Sequence, residues 1–92
     1  MNSNQKKRLQ KVSYEPFYLL NLSKNEKNNL VFDVSGSTAN LYQTTIYPKS
    51  QTVFCNCPDA RSWAKKQGCI CKHACFVFLR VLKISENELI NQ

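Results

Sequence analysis

"CNCPDARSWAKKQGCICKHACFVFL", residues 55–79, holds all five cysteines of this 92-residue chain and its only histidine. Such crowding has four readings: a metal site, a disulfide knot, a reactive nucleophile, or coincidence. Spacing and context decide among them. Cys55 and Cys57 stand two apart in TVFCNC (52–57), a β-branched, aromatic run that reads as a strand. Side chains alternate along a strand with period two, so both thiols point to one face.

Cys71 and His73 are also two apart, at the head of CKHACFVFLRVLKI (71–84), an apolar run that reads as a buried helix. Inside a regular helix, residues two apart lie about 200° apart around the axis and cannot meet one ion. Cys71 must therefore sit at or just before the first turn, with His73 in that turn. A helix N-terminus also favours thiolate charge. The two pairs, in the order C-x-C-x13-C-x-H, close a Cys3His tetrahedron, a composition typical of structural zinc. Cys69 forms a second C-x-C with Cys71 and is an alternative third ligand. Cys75, four residues past Cys71, reads as a small apolar core residue.

Other segments organise around this one. NLVFDVSG (29–36) alternates, with Leu30, Phe32 and Val34 on one side, and LYQTTIY (41–47) is β-branched and aromatic. They read as a β-hairpin whose loop, SGSTAN, has Gly36 available for unusual backbone angles. FYLLNL (17–22) reads as a further strand. PDARSWAKKQG (58–68) places Pro just inside the start and Gly at the end of a short helix, with Lys65 and Lys66 in its last turn. Residues 1–14 read as a basic arm or frayed helix, 15–84 as one domain, and 85–92 as the start of a C-terminal helix capped by Ser85, or a tail.

The bulk numbers fit. A chain of this size buries only about 60–65% of its unfolded surface, so its core is marginal without a metal or disulfides. No run approaches the roughly 20 apolar residues of a membrane span. The polar, basic start, MNSNQKKRLQK, is unlike a secretory signal. An intracellular setting, cytoplasm or nucleus, is the expectation, and it disfavours structural disulfides; five is also an odd number to pair.

The residues "VSGSTANLYQTTIYPKSQTVFCNCPDARSWAKKQGCICKHACFVFLRVLKIS" resemble the SWIM zinc finger, above all at C-x-C-P-D, at C-K-H and at the G-S-T-x-N-x-Y hairpin. The resemblance covers about 30 to 84. It implies an α+β fold, a small antiparallel sheet packed on a C-terminal helix and stapled by one structural zinc, with Cys55, Cys57, Cys71 and His73 as ligands. Cys69 and Cys75 depart from the pattern. Within the family the chain looks most like the kind found beside RING domains in ubiquitin ligases, although no RING cysteines or histidines follow His73 here. Three thiolates and one Zn²⁺ sum to −1, which would bring the formal charge of +7 to about +6.

Catalysis has few parts to draw on. The only histidine is spent as a ligand, four protein ligands leave zinc no open position, and two glycines make no phosphate loop. Binding is the expected role, with no small-molecule substrate and no membrane. A protein partner would use Phe76 as an apolar anchor rimmed by Lys72 and Arg80. A nucleic acid, the alternative, would use Lys65, Lys66, Lys72, Arg80 and Lys83, with Trp63 and Phe76 for stacking. Against each stands a plainer reading: solvated lysines, a Trp63 that covers the metal cluster, and a singly exposed phenylalanine.

Overall fold

The computed structural model describes residues 3–36 and 40–84. A helix, α1 (Ser3–Tyr14), precedes four strands, β1 (Tyr18–Lys24), β2 (Leu30–Ser35), β3 (Leu41–Tyr47) and β4 (Thr52–Cys55). Two single-turn helices follow, α2 (Pro58–Arg61) and α3 (Trp63–Lys66), and then α4 (Lys72–Phe76), which widens into a π-helical turn over Val77–Val81. The fold is α+β, as expected. The strands form one antiparallel sheet in sequence order, β1-β2-β3-β4.

Alternation builds the sheet's inner face. Phe32 and Val34 of β2 are fully buried, and Phe32 pairs with Thr44 of β3, which in turn pairs with Cys55 of β4. Directly paired residues share a face, so this row runs from the apolar core to the first cysteine. β4 stops at Cys55, two residues sooner than the sequence suggests. Asn56 prolongs the pairing by other means: its backbone N–H donates to the Gln43 carbonyl at 3.2 Å, and its side-chain oxygen accepts the Gln43 N–H at 2.8 Å. Cys57 keeps an extended backbone (φ −71°, ψ 157°) and becomes the cap of α2.

FYLLNL supplies β1, an edge beside β2 with an irregularity between Leu19 and Asn21. The side chains of Tyr18–Lys24 are all exposed, whereas Phe17, just before the strand, is half-buried against the core. The 58–68 helix is two helices, not one. Ser62 breaks it at φ −131°, ψ −88°, while its hydroxyl donates back to the Pro58 carbonyl at 2.7 Å. Gly68 does end it, at φ 68°, where a side chain would be strained.

The largest departure lies at the N-terminus. α1 is neither arm nor frayed: Leu9 and Val12 are buried in one cluster with Phe32, Val34, Cys75, Phe76 and Val77. Gln5, Arg8, Leu9 and Val12 recur at spacings of three and four, which makes one inward stripe. Polar Gln5 and Arg8 supply half of that stripe, so the apolar pattern in the sequence is faint. A second cluster, Cys55, Cys57, Cys71 and Ala74, adjoins the first through Ile70. At about 1.5–3 kcal/mol per large buried side chain, set against about 1–2 kcal/mol of backbone entropy per residue, this core is thin. The proposed cap of a further helix, Ser85, and residues 86–92 lie outside the described residues, as do Ser37, Thr38 and Ala39 of the hairpin loop.

Candidate metal centre

β4, the turn after it and the head of α4 converge on four side chains. Cys55, Cys57, Cys71 and His73 are all buried, and their ligand-type atoms lie within 4.8 Å of one another. Each is placed by a local cause. Cys55 ends β4. The Cys57 sulfur accepts the Ala60 N–H at 3.3 Å, which fixes its rotamer and gives α2 its cap. Cys71 caps α4 in extended conformation (φ −75°, ψ 170°), and His73 lies in the first turn. That is the arrangement the two-residue spacing requires.

His73 is held between walls. Its Nδ1 lies 4.0 Å from the Cys71 sulfur. The Tyr42 ring is 4.9 Å away, and Phe17 meets it edge-on at 5.9 Å. A β-carbon at Gly36 would stand 3.5 Å from Nε2, in ordinary van der Waals contact, so the hairpin backbone also lies close to the imidazole. Opposite Cys55, the Thr44 hydroxyl is buried with no hydrogen-bond partner among the described residues.

The thiols polarise one another. Hydrogen bonds from Cys57 and then Cys71 hold Cys55 far below the ordinary thiol range, and the contact with Cys55, then that with Cys57, pushes Cys71 far up. Protein groups alone thus favour charge on Cys55 and disfavour it on Cys71. A divalent cation is what would favour thiolates at both. Donor types, proximity and burial therefore fit a bound metal, and the orphaned Thr44 hydroxyl fits a site where the Cys55 sulfur is charged.

α1 braces this centre from outside. Gln5 bonds both backbone groups of Ile70, the residue before Cys71, at 3.1 and 2.8 Å. Arg8 forks onto both oxygens of Asp59, two residues after Cys57, at 2.9 and 2.8 Å, and reaches Gln67 at 2.9 Å. The sequence reading missed this role. The available signal was the Gln5–Leu9–Val12 stripe.

Of the remaining cysteines, Cys69 stands outside the four-residue cluster, half-buried, with its thiol donating to the Gln67 carbonyl at 3.5 Å. Cys75 is fully buried in the main core, where burial pushes its thiol up to about 12 and Gln5 donates to its sulfur at 3.4 Å.

The expected partner-binding residues do not form one surface. Phe76 is not an exposed anchor. It is 9% exposed, because Phe17 stacks on it at 5.3 Å and α1 packs over the same face. Lys72 is tied to Glu15 at 2.8 Å. Trp63 is 63% exposed and does not cover the cysteine cluster; Lys66 lies 5.2 Å from its ring centre, and Lys65 is exposed beside it. Arg80 and Lys83 face a different groove, along Leu9, Val12 and Ser13 of α1, whereas Trp63 and Lys72 share a groove with Lys7 and Lys11.

Fold and site together define a small α+β protein with a Cys3His cluster that could hold a metal ion, consistent with a zinc finger. Comparison with protein-family models, with curated proteins and with solved structures gives no match to this chain. Among the described residues no helix is long and apolar enough to cross a membrane.

Proposed function

We propose that this chain is a SWIM-type finger that holds one structural zinc and serves as an intracellular interaction module. One observation carries the reading: three sulfurs and one imidazole, all buried, lie within 4.8 Å of one another. Four protein donors fill a tetrahedron and leave no position for a reacting water, which supports a structural role over a catalytic one. Zinc supplies cross-linking here, tying the end of β4 to the head of α4. The SWIM assignment and a ubiquitin-ligase context rest on the motif resemblance alone.

A protein partner is the first reading. With Phe76 buried, its support moves to β1, an unpaired edge whose Tyr18, Leu20 and Leu22 are each at least half exposed. Such an edge can accept an added strand. Nucleic-acid contact is the second reading, supported by exposed Trp63 beside lysines.

Two measurements test this. Native mass spectrometry of protein purified under reducing conditions should find one zinc per chain; a metal-free mass would end the zinc reading. A pull-down with the zinc-loaded chain, with and without nuclease, then separates the classes. A partner retained after nuclease supports the protein reading, and loss of every partner supports the nucleic-acid one.

A further inference from the structure

A groove of about 440 Å³ runs between α1 and the α2–α3 segment, with Lys7 and Lys11 on one wall and Trp63 on the other. We infer that it binds a short single-stranded nucleic acid, phosphates against Lys7 and Lys11 and a base stacked on Trp63. This deepens the second reading above and rests on it.

Charge comes first. Among the described residues, Asp59 is the carboxylate that lines the groove, and it is spent on Arg8 at 2.8 Å; Glu15, off the groove, is spent on Lys72 at 2.8 Å. Lys7 and Lys11 have no ion-pair partner among the described residues. They stand one helical turn apart, about 6 Å along α1, on one side of it. A polyanion entering the groove meets unneutralised ammonium groups and no free carboxylate, in a chain of formal charge +7.

The second observation selects among polyanions. Trp63 is the sole tryptophan and the most bulky exposed apolar side chain, at 63%. It projects from α3, a helix whose only buried residue is Ala64. An acidic peptide would use the lysines and leave the indole without a role. A nucleotide presents both an anion and a flat π-face, and base–aromatic stacking tolerates any sequence. Lys66, 5.2 Å from the indole centre, adds a third cation at the same place. Arg80 and Lys83 line the other groove and take no part.

Trp63 is its own reporter. The zinc-loaded full chain is titrated at low salt with an oligothymidylate of about 8 nucleotides, within the usual site size for single strands. An abasic strand of equal length and an oligoglutamate serve as controls. Quenching of Trp63 fluorescence, with abasic strand and oligoglutamate each at least tenfold weaker, is the expected result. By anisotropy of labelled strand, Trp63→Ala should lose that preference for bases. Lys7→Ala combined with Lys11→Ala should reduce the salt slope by about 1.4, or 0.7 per phosphate contact. Equal binding of the abasic strand or the oligoglutamate overturns the proposal, as does absence of binding at low salt. These residues are at the surface, so circular dichroism and one zinc per chain should be unchanged in the variants. A preparation with stoichiometric zinc and no strand binding sinks this inference and leaves the metal reading standing.

Discussion

Gln5 in α1 holds both polar groups of the Ile70 backbone: its amide nitrogen donates to the carbonyl at 3.1 Å, and its amide oxygen accepts the N–H at 2.8 Å. The two residues are 65 apart in sequence, and Ile70 adjoins Cys71. A side-chain amide that mimics a strand partner thus sets the position of one candidate ligand. Gln5→Ala leaves two partly buried backbone groups unpaired, at about 1–3 kcal/mol each before water fills in. We expect a loss of about 2 kcal/mol in thermal stability and roughly tenfold weaker zinc retention against a competing chelator. A Gln5→Ala protein that melts and retains metal as wild type does would show α1 to be a bystander.

The Arg8–Asp59 pair has a pH signature. Arg8, chiefly by its hydrogen bonds to the carboxylate, holds Asp59 below the ordinary carboxyl range. A depressed folded-state pKa stabilises above the unfolded value, and that stability is lost as pH falls through the folded one. Arg8→Met should therefore melt lower than wild type at neutral pH, by about 1 kcal/mol since Asp59 is partly exposed. The gap should close below about pH 4. Ligand protonation would release the metal over the same acid range, so the two proteins are compared only at pH values where native mass shows both still metal-loaded. A gap of constant size down to the lowest measurable pH would mean that Arg8 acts by packing alone.

The cluster of Cys55, Cys57, Cys71 and His73 was legible because its signal is local. Two-residue spacings at the end of a strand and at the head of a helix are decided by a few neighbouring residues, and the four side chains do converge, although Cys57 lies beyond β4, as the cap of α2. Asn56 and the early end of β4 were not legible, since a side chain that substitutes for backbone pairing leaves no pattern. Phe76 was misread for a different reason. Its helix face does carry Lys72 and Arg80, but a stretch some sixty residues earlier, Glu15 to Phe17, folds over it with an ion pair and a stacked ring. α1 escaped notice because half of its inward stripe is polar, and polar residues that bond a distant loop look like solvated ones in a sequence.

Four buried donors make metal removal a folding experiment. Chelation should abolish most secondary structure over 52–84, because binding free energy of this kind is folding free energy, on the order of 10 kcal/mol. Cys71→Ser should likewise prevent stoichiometric loading. Cys69→Ser should load normally, since Cys69 stands outside the cluster. Far-ultraviolet circular dichroism before and after chelation reads the first outcome and native mass the other two. Unchanged ellipticity without metal, or a Cys69→Ser protein that fails to load, would require a different ligand set.

Thr44 raises the last question, because a buried hydroxyl without a partner costs about 1–3 kcal/mol. It pairs with Cys55 across β3 and β4, and it is among the groups that lower the Cys55 thiol. A charged Cys55 sulfur would give the hydroxyl something to donate to, which is the sense in which Thr44 lowers that thiol, and a metal-bound thiolate would supply the charge. Two substitutions separate hydroxyl from shape. Thr44→Val keeps the volume and removes the donor, and should weaken zinc retention about five- to tenfold, one charge-assisted hydrogen bond. Thr44→Ser keeps the donor and removes a methyl, and should retain zinc as wild type while melting lower by about 1 kcal/mol. If the valine variant instead holds zinc equally well and melts higher, the hydroxyl is an unsatisfied polar group and the Cys55 sulfur owes it nothing.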